Sequence, residues 1–409
     1  MVAYSGQVSC SEVAGSLTMI GPPDSADMKV LKQIWLELAS CRTRFMGTDG
    51  AAEAVNILKG HLTAFGLQPE ISSFRYGGWQ PGNPVVLEID GRSVEAYAML
   101  GSHGRPGAHA PFTGQLRHVG AFGIWGTYDW ERFALVDSEE QICAYVLGRT
   151  QGPAIPQTLP ERCDGIPYVG VGSETLSYLL STCASGHAPG GSIQSDSFPL
   201  GIREGVSLVA DLPDQGEHTL LIGAHYDSFF STPGAYDNAS GAACLAAIAS
   251  KFRSGIPGTK TRLAWFGAEE WLLAGSKAYV KEQSTSGVLP ELMINIDGVG
   301  RNNTLEAWYG PDALLPELRR TVEPIAAKQG FGTAYKFPPP PGSDHAPFYD
   351  VGCAVCMLTF NDLEILHRPE DGVDANKLNN MLRMLDLVVG LLDNFDALTQ
   401  AISVDSRSL

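Results

Sequence analysis

Positive charge is scarce in this sequence. The 409 residues include 28 Lys plus Arg against 45 Asp plus Glu, a net charge of −17, and no lysine occurs between Lys59 and Lys251. Nucleic acids and anionic membranes are bound by clustered basic side chains that displace counterions. The sequence therefore predicts neither nucleic acid nor a membrane as a partner, and its acidic balance suits a protein that holds divalent cations.

Long apolar runs are also absent. No stretch approaches the length of about eighteen apolar residues that a membrane-spanning helix needs. Residues 1–10 have neither the basic region nor the apolar run of a secretory signal, so we expect a cytoplasmic protein. Cysteines number eight in the whole chain and are scattered. We predict buried thiols rather than a disulfide framework.

The order of apolar patterns predicts an α/β fold with a β-rich insertion. Apolar residues near the beginning of the chain recur at helical spacing. After Phe74 the sequence becomes rich in Gly, Pro and aromatic residues, and apolar runs of period two follow. From Val206 apolar strands alternate with helical segments, which is typical of a mixed, mostly parallel central sheet flanked by helices. We predict that residues 1–77 and 205–409 form this α/β domain and that residues 78–204 form a smaller inserted domain.

Four predicted strands end near side chains that can bind a metal ion or a proton. These are His225 and Asp227 after the first strand, Glu269 and Glu270 after the second, Asp297 after the third and His367 after the fourth. The carboxyl ends of parallel strands meet at one edge of a sheet. An aspartate two residues from a histidine can fix its tautomer. Neighbouring glutamates point in different directions, so one can bind a metal while the other takes a proton from water.

Each motif alone also fits an ordinary structural role. Asp227 can cap the turn after a strand-end histidine, and the adjacent Glu269 and Glu270 favour the positive end of a helix dipole. Asp297 with Gly298 forms a common turn pair. Four such strand ends in one chain are much harder to explain by chance, which favours a metal site at the sheet edge.

The same residues resemble the co-catalytic zinc exopeptidase family. The resemblance is carried by His225-x-Asp227, by Asp237-Asn238 twelve residues after the histidine, by Glu269-Glu270, and by Asp297 and His367. This family includes zinc aminopeptidases, glutamate carboxypeptidase, glutaminyl cyclases and the inactive transferrin receptor. The resemblance implies a zinc exopeptidase fold, with residues 78–204 at the place where family members often carry a protease-associated domain.

The resemblance also implies a site for two zinc ions. Five side chains would be the ligands: His225 and Asp297 for one ion, Glu270 and His367 for the other, and Asp237 as the bridge. Glu269 would be the general base and later the acid toward the leaving amine, and Asp227 would orient His225. A ligand set of nitrogen and oxygen atoms suits zinc.

The sequence departs from the family pattern near its last ligand. Aminopeptidases of this family usually place a tyrosine before the last histidine, where its hydroxyl polarises the scissile carbonyl, and this chain has Leu366 there. Residues 367–371 also differ from the usual His-Thr-Pro-x-Asp ending, which implies altered substrate contacts. We hypothesise that His345 supplies the missing hydrogen bond or a charge for the oxyanion. A structural histidine held by Asp344 is an equally good explanation of that residue.

The sequence therefore predicts hydrolysis of an amide or peptide bond in a peptide or small amide, with removal of N-terminal residues as the first choice. A specialised amidohydrolase or carboxypeptidase that acts on one small metabolite is the alternative, because the tyrosine is absent. Acyl transfer of the glutaminyl cyclase type and a catalytically silent binding protein are further alternatives, against which the complete ligand set argues. A homodimer is only the default for such enzymes.

Overall fold

The computed structural model describes residues 26–107, 110–124, 128–160 and 165–405. Residues 1–10, on which the expectation of no secretory signal rests, lie outside these ranges, so the cytoplasmic location stays a prediction. Within the described ranges, no helix has both the length and the apolar character needed to cross a membrane.

Helices and strands alternate along most of the described chain. The α-helices are α1 (Ala26–Ser40), α2 (Asp49–Ala64), α3 (Ser173–Ala184), α4 (Gly241–Lys251), α5 (Ala274–Ser286), α6 (Leu315–Gln329), α7 (Ala346–Asp350), α8 (Ala375–Asp393) and α9 (Phe395–Asp405). The strands are β1 (Glu70–Gln80), β2 (Val86–Ile89), β3 (Arg92–Val94), β4 (Tyr97–Ala98), β5 (Phe112–Ile124), β6 (Tyr128–Val136), β7 (Ile142–Arg149), β8 (Tyr168–Val171), β9 (Gly190–Gln194), β10 (Phe198–Asp211), β11 (Gly216–His225), β12 (Gly258–Phe266), β13 (Leu292–Val299), β14 (Thr304–Gly310), β15 (Gly332–Lys336) and β16 (Ala354–Phe360).

The first sheet contains the strands that lead to the predicted metal ligands. Its order is β1-β10-β12-β11-β13-β16-β14-β15. Four of its seven pairings are parallel, and they include the three that join β12, β11, β13 and β16. The pairings of β1 with β10, β10 with β12 and β14 with β16 are antiparallel. This confirms the predicted mixed, mostly parallel central sheet.

Helices cover both faces of this sheet because apolar side chains on its central strands point alternately to either side. Leu220 and Ile222 of β11 belong to the core that includes side chains of α1, α2, α4 and α8. Leu221, between them, packs on the other face with Tyr279 of α5 and Phe348 of α7. The central strands are therefore buried on both faces. Polar residues can occur at the ends of these strands, beyond the apolar side chains that pack on the helices.

A second sheet lies within residues 86–194, with the order β3-β2-β9-β5-β6-β7-β8-β4. Helix α3 packs on it through Leu176 and Leu179. The antiparallel pair β1 and β10 leads into and out of this segment, and both strands run a few residues into the range predicted as the insertion. The domain boundaries and the protease-associated character of the insertion stay predictions.

The cysteines of the described ranges form no disulfide. Four of them, including Cys353 and Cys356, are buried, as predicted for core thiols. Cys143 and Cys183 are only partly buried. These free thiols agree with a fold that depends on its apolar core rather than on crosslinks.

Candidate metal centre

Parallel pairing brings the predicted side chains to one edge of the first sheet. His225 is the last residue of β11, Glu269 and Glu270 follow β12 after a short turn, Asp297 lies near the end of β13, and His367 follows β16. These four strands are neighbours in the sheet. Their carboxyl ends therefore meet at the same edge, where ligand sites of open α/β sheets are formed.

The side chains form two adjacent clusters with Asp237 between the two histidines. Ligand atoms of His225, Glu269 and Asp297 lie within 4.8 Å of one another, and so do those of Asp237, Glu270 and His367. The Nε2 atom of His225 is 3.1 Å from Asp297 Oδ1 and 3.2 Å from Asp237 Oδ1. The Nε2 atom of His367 is 3.2 Å from Asp237 Oδ2 and 3.2 Å from Glu270 Oε2. Asp237 therefore presents one oxygen to each cluster, which is the geometry of a bridging ligand.

The clusters fit two divalent cations on chemical grounds. The ligand residues in them are buried or nearly so, and Glu270 Oε1 has no hydrogen-bond partner among the described residues. Concentrating carboxylates away from water without compensating partners costs free energy. Imidazole nitrogens mixed with carboxylate oxygens are the ligands that zinc takes in catalytic sites. A pair of zinc ions held by these residues would satisfy atoms, such as Glu270 Oε1, that the protein alone leaves unsatisfied.

Burial and the neighbouring charges together raise the pKa values of both glutamates and both histidines. Burial raises the pKa of Glu269 well above its ordinary value and that of Glu270 to about 7. Burial opposes protonation of His367, but the carboxylates of Glu270 and Asp237 raise its pKa to about 10. Burial also opposes protonation of His225, but the carboxylates of Asp297 and Glu269 raise its pKa well above the ordinary value. In the metal-free protein the histidines therefore hold protons that a metal ion must displace.

Asp227 holds the turn that carries both glutamates. Its Oδ1 accepts the backbone N–H of Glu269 at 3.1 Å, and its Oδ2 accepts that of Glu270 at 3.4 Å. The Nδ1 atom of His225 lies 3.5 Å from Asp227 Oδ1, which is longer than an ordinary hydrogen bond. The structure thus places Asp227 near His225 without a hydrogen bond between them, and its role in orienting His225 stays a prediction. Its contacts to the two backbone N–H groups are a role that the sequence did not indicate.

The connection between β7 and β8 of the second sheet supplies contacts to the metal cluster. The Nδ1–H of His367 donates to the carbonyl of Pro156 at 2.9 Å, and the hydroxyl of Thr158 donates to the carbonyl of Glu270 at 2.5 Å. The imidazole of His367 also stacks on Phe229, with 4.2 Å between ring centroids. Hydrogen bonds of this kind fix the tautomer of a ligand histidine and leave Nε2 free to face the metal.

His345 lies behind the cleft and not in its lining. The side chain is fully buried, its Nε2–H donates to the carbonyl of Pro340 at 2.9 Å, and its ring packs edge-on against Trp308. Burial lowers the pKa of His345 to about 4, so the imidazole is neutral. The hydrogen bond goes to Pro340, whereas the structural explanation invoked Asp344. The catalytic role of His345 stays a prediction.

The cleft beside the clusters has an apolar wall and a metal-ligating wall. Its described lining comprises Gln157, Thr158, Tyr236, Asp237, Glu269, Glu270, Asp297, Trp308, Gly342, Met357, Asn361, Leu366 and His367. Leu366, at the position of the missing tyrosine, packs in one apolar cluster with Tyr236. The hydroxyl of Tyr236 donates to Asn361 Oδ1 at 3.2 Å. Neither lysine nor arginine occurs in this described lining.

Several supporting residues were not predicted from the sequence. The buried guanidinium of Arg44 donates to the carbonyls of Tyr226 at 2.7 Å, Pro233 at 2.6 Å and Gly234 at 2.8 Å. It thereby fixes the loop between His225 and Asp237. Only these tertiary contacts show what Arg44 holds in place.

Comparison with known proteins finds relatives for the part of the chain that carries this site. A model of peptidase family M28 matches residues 207–392. Leupeptin-inactivating enzyme 1 of Streptomyces exfoliatus is 36% identical over 160 residues, which are 37% of this chain and 35% of that protein. Aminopeptidase YwaD of Bacillus subtilis is 31% identical over 185 residues, 41% of this chain and 39% of that protein. The match therefore spans well under half of these relatives, and over residues 207–392 it confirms the predicted resemblance to zinc exopeptidases.

Solved structures are similar over most of the chain. The aminopeptidase from Aneurinibacillus sp. strain AM-1 has a TM-score of 0.65 at 19% identity and covers 89% of this chain and 93% of its own. BSAP, a zinc aminopeptidase from Bacillus subtilis, has a TM-score of 0.61 at 20% identity, with coverage of 89% and 93%. These similarities confirm the predicted α/β fold class.

Proposed function

We propose that this chain is a di-zinc aminopeptidase that removes N-terminal residues from peptides. The observation that carries the proposal is the position of Asp237, whose two carboxylate oxygens each lie 3.2 Å from one of two ligand histidines, His225 and His367. In the proposal Asp297 completes the first zinc site and Glu270 the second. The names of the relatives, which include aminopeptidases and a zinc aminopeptidase, support it.

Zinc ions bound there would lower the pKa of water and stabilise negative charge on the substrate carbonyl. The chain's own residues do the remaining work. Glu269 is a member of the first cluster and lines the cleft, and burial raises its pKa, which suits a group that accepts a proton from water and returns it to the leaving amine. Asp227 holds Glu269 and Glu270 in place through their backbone N–H groups.

The lining of the cleft favours an aminopeptidase over a carboxypeptidase. A C-terminal carboxylate is recognised through a cationic side chain or a similar donor, and the described lining has no lysine or arginine. A free amino group instead meets the carboxylates of Glu269 and Asp297. The Trp308, Met357 and Leu366 side chains form the apolar part of the lining, which suits an apolar first residue.

The test combines metal analysis of the purified protein with a panel of three substrate types. The panel contains leucine p-nitroanilide, its N-acetyl derivative, and an N-blocked dipeptide with a free carboxylate. We expect two zinc ions per chain and hydrolysis of the free amine alone. Cleavage of the blocked dipeptide would replace the proposal by a carboxypeptidase. Ammonia release from a peptide with an N-terminal glutamine, assayed beside the panel, would replace it by a cyclase. A metal-free, inactive protein would favour a binding role.

A further inference from the structure

The segment 235–237 carries the bridging carboxylate and has an irregular backbone. It follows Gly234, whose φ of +62° lies in the left-handed region, and Asp237 itself is outside the helical region at φ −113° and ψ 96°. Such a backbone cannot pair its amide groups within a regular helix. Buried N–H groups without partners are costly, so the segment depends on acceptors from elsewhere in the chain.

One residue supplies those acceptors. The backbone N–H groups of three consecutive residues donate to Asp371: Ala235 to its carbonyl at 3.1 Å, Tyr236 to its Oδ1 at 2.8 Å and Asp237 to its Oδ2 at 3.1 Å. Asp371 is fully buried. Both of its carboxylate oxygens are thus used to fix the peptide units on either side of Tyr236.

The charge of Asp371 is compensated by Lys377. The ammonium of Lys377, in the first turn of α8, lies 2.6 Å from Asp371 Oδ1 and also donates to the carbonyl of Gly372. Lys377 is 1% exposed and Asp371 is 0% exposed. A buried carboxylate without a cation would be expensive, so the lysine allows a charged acceptor to sit under this segment.

We propose that the buried Asp371–Lys377 pair is a positioning device that sets the place of Asp237 between the two zinc sites. Asp371 follows His367 by four residues, so the same turn places one ligand histidine and the carboxylate that holds the bridge. A tilt of the 235–237 backbone would move the Asp237 oxygens relative to Nε2 of His225 and of His367. The inference rests on the proposed di-zinc function, and its readout is metal affinity.

The decisive variant removes both charges together. In D371N/K377M no buried charge is left unpaired, so the metal-free protein is expected to fold. The asparagine amide in this variant has one acceptor oxygen, whereas the N–H groups of Tyr236 and Asp237 each need an acceptor. We expect zinc affinity, measured by competition with a chromophoric chelator, to fall about 10–100-fold, as is typical when a supporting partner of a metal ligand is removed. The matched control is D27N/K251M, which removes an exposed ion pair between α1 and the end of α4 and should keep wild-type affinity.

Other outcomes separate the ways in which the inference can fail. If D371N/K377M binds two zinc ions as tightly as the wild type, the pair is only structural and the inference is wrong. If D371N/K377M does not fold, the same titration on D371E decides, because that variant keeps the charge but shifts the carboxylate by one methylene. A wild type that binds zinc tightly but cleaves none of the panel overturns the proposed function and leaves this test valid. A wild type that binds no zinc overturns both.

Discussion

At the scale of single residues, Glu269 has the clearest catalytic prediction. Glu269→Gln keeps the size of the side chain but removes its ability to accept a proton from water. We expect kcat to fall about 10²–10⁴-fold, the usual contribution of a general base. Zinc content should stay at two ions per chain, because the proposed ligands are other side chains. Steady-state kinetics with leucine p-nitroanilide and elemental analysis of the same sample measure both quantities.

The control for this change is Glu282→Gln on the exposed surface of α5, which should leave kcat unchanged. Glu269 is one of the three residues in the first cluster, so its side chain is close enough to be a zinc ligand itself. If Glu269→Gln lost one zinc ion together with activity, Glu269 would be a ligand and the assignment of the base would be wrong.

His345 carries a prediction about stability and pH. Its pKa of about 4 in the folded protein is below the ordinary value of 6.5 because the side chain is buried. Between pH 6.5 and pH 4 the unfolded chain therefore binds a proton that the folded protein does not bind. Stability must fall as pH decreases through this window, by roughly 2 kcal/mol between pH 6.5 and pH 5.

This contribution can be isolated by substitution. Urea unfolding of metal-free wild type and His345→Gln at pH 7 and pH 5 gives four free energies of unfolding, and other titrating groups cancel in the comparison. We expect the advantage of wild type over the variant to shrink by about 2 kcal/mol at pH 5. His187→Gln, at an exposed position, is the control. A constant difference at both pH values would show that His345 is not a buried neutral imidazole.

At the scale of secondary-structure elements, sequence reasoning was most successful where the signal was local. An apolar strand that ends in a polar residue is visible in the sequence, and parallel order then implies that such ends meet. His225, Asp297 and His367 were predicted in this way, and the structure brings them to one edge of the sheet. The supporting roles of Thr158 and Lys377 were not predicted. In the sequence Thr158 looks like an ordinary loop residue, and Lys377 looks like a polar residue at the beginning of a helix. Their partners lie across the fold or around a turn, and only the folded backbone brings them together.

Thr158 tests whether the loop from the second sheet supports the proposed ligand Glu270. Thr158→Val preserves the shape of the side chain but removes the hydroxyl that donates to the carbonyl of Glu270. The carbonyl would be left buried without this donor, so we expect the free energy of unfolding to fall by about 1–2 kcal/mol. Zinc affinity should weaken as the Glu270 backbone relaxes. Urea unfolding and chelator competition measure the two effects.

The matched control is Thr113→Val on β5, which removes a hydroxyl from an exposed threonine of the same sheet. It should change neither stability nor zinc affinity appreciably. Equal effects from Thr158→Val and Thr113→Val would mean that the second sheet does not support the metal centre through this hydrogen bond.

At the scale of the whole molecule, the sequence predicted two structural parts but not how one serves the other. The segment 78–204 offered no ligand motif, and its histidines lacked ligand spacing. In the structure its contact to a proposed ligand side chain comes from a backbone carbonyl, that of Pro156, which accepts from His367 at a distance of 211 residues along the chain. Every residue has a carbonyl, so no residue type marks such a contact in a sequence. Side-chain chemistry can be predicted from sequence patterns, whereas backbone contributions require the fold.

Metal removal provides a prediction for the molecule as a whole. The chain has a net charge of −17, and the metal centre gathers the carboxylates of Asp237, Glu269, Glu270 and Asp297. Without cations these groups repel one another or must take up protons. A metal that binds only the folded state stabilises it by about 4 kcal/mol when its free concentration is 1,000 times its Kd. We therefore expect chelation to lower the thermal midpoint by several degrees.

Recovery of the midpoint distinguishes a specific site from general screening of negative charge. Zinc added back to the chelated and dialysed protein should restore the midpoint and saturate at two equivalents per chain. Magnesium at the same concentration should restore much less, because it prefers an octahedral set of oxygen ligands and the two clusters each contain a histidine. If magnesium and zinc restored the midpoint equally, the stabilisation would come from neutralising an acidic surface, and the two-zinc assignment would lose its thermodynamic support.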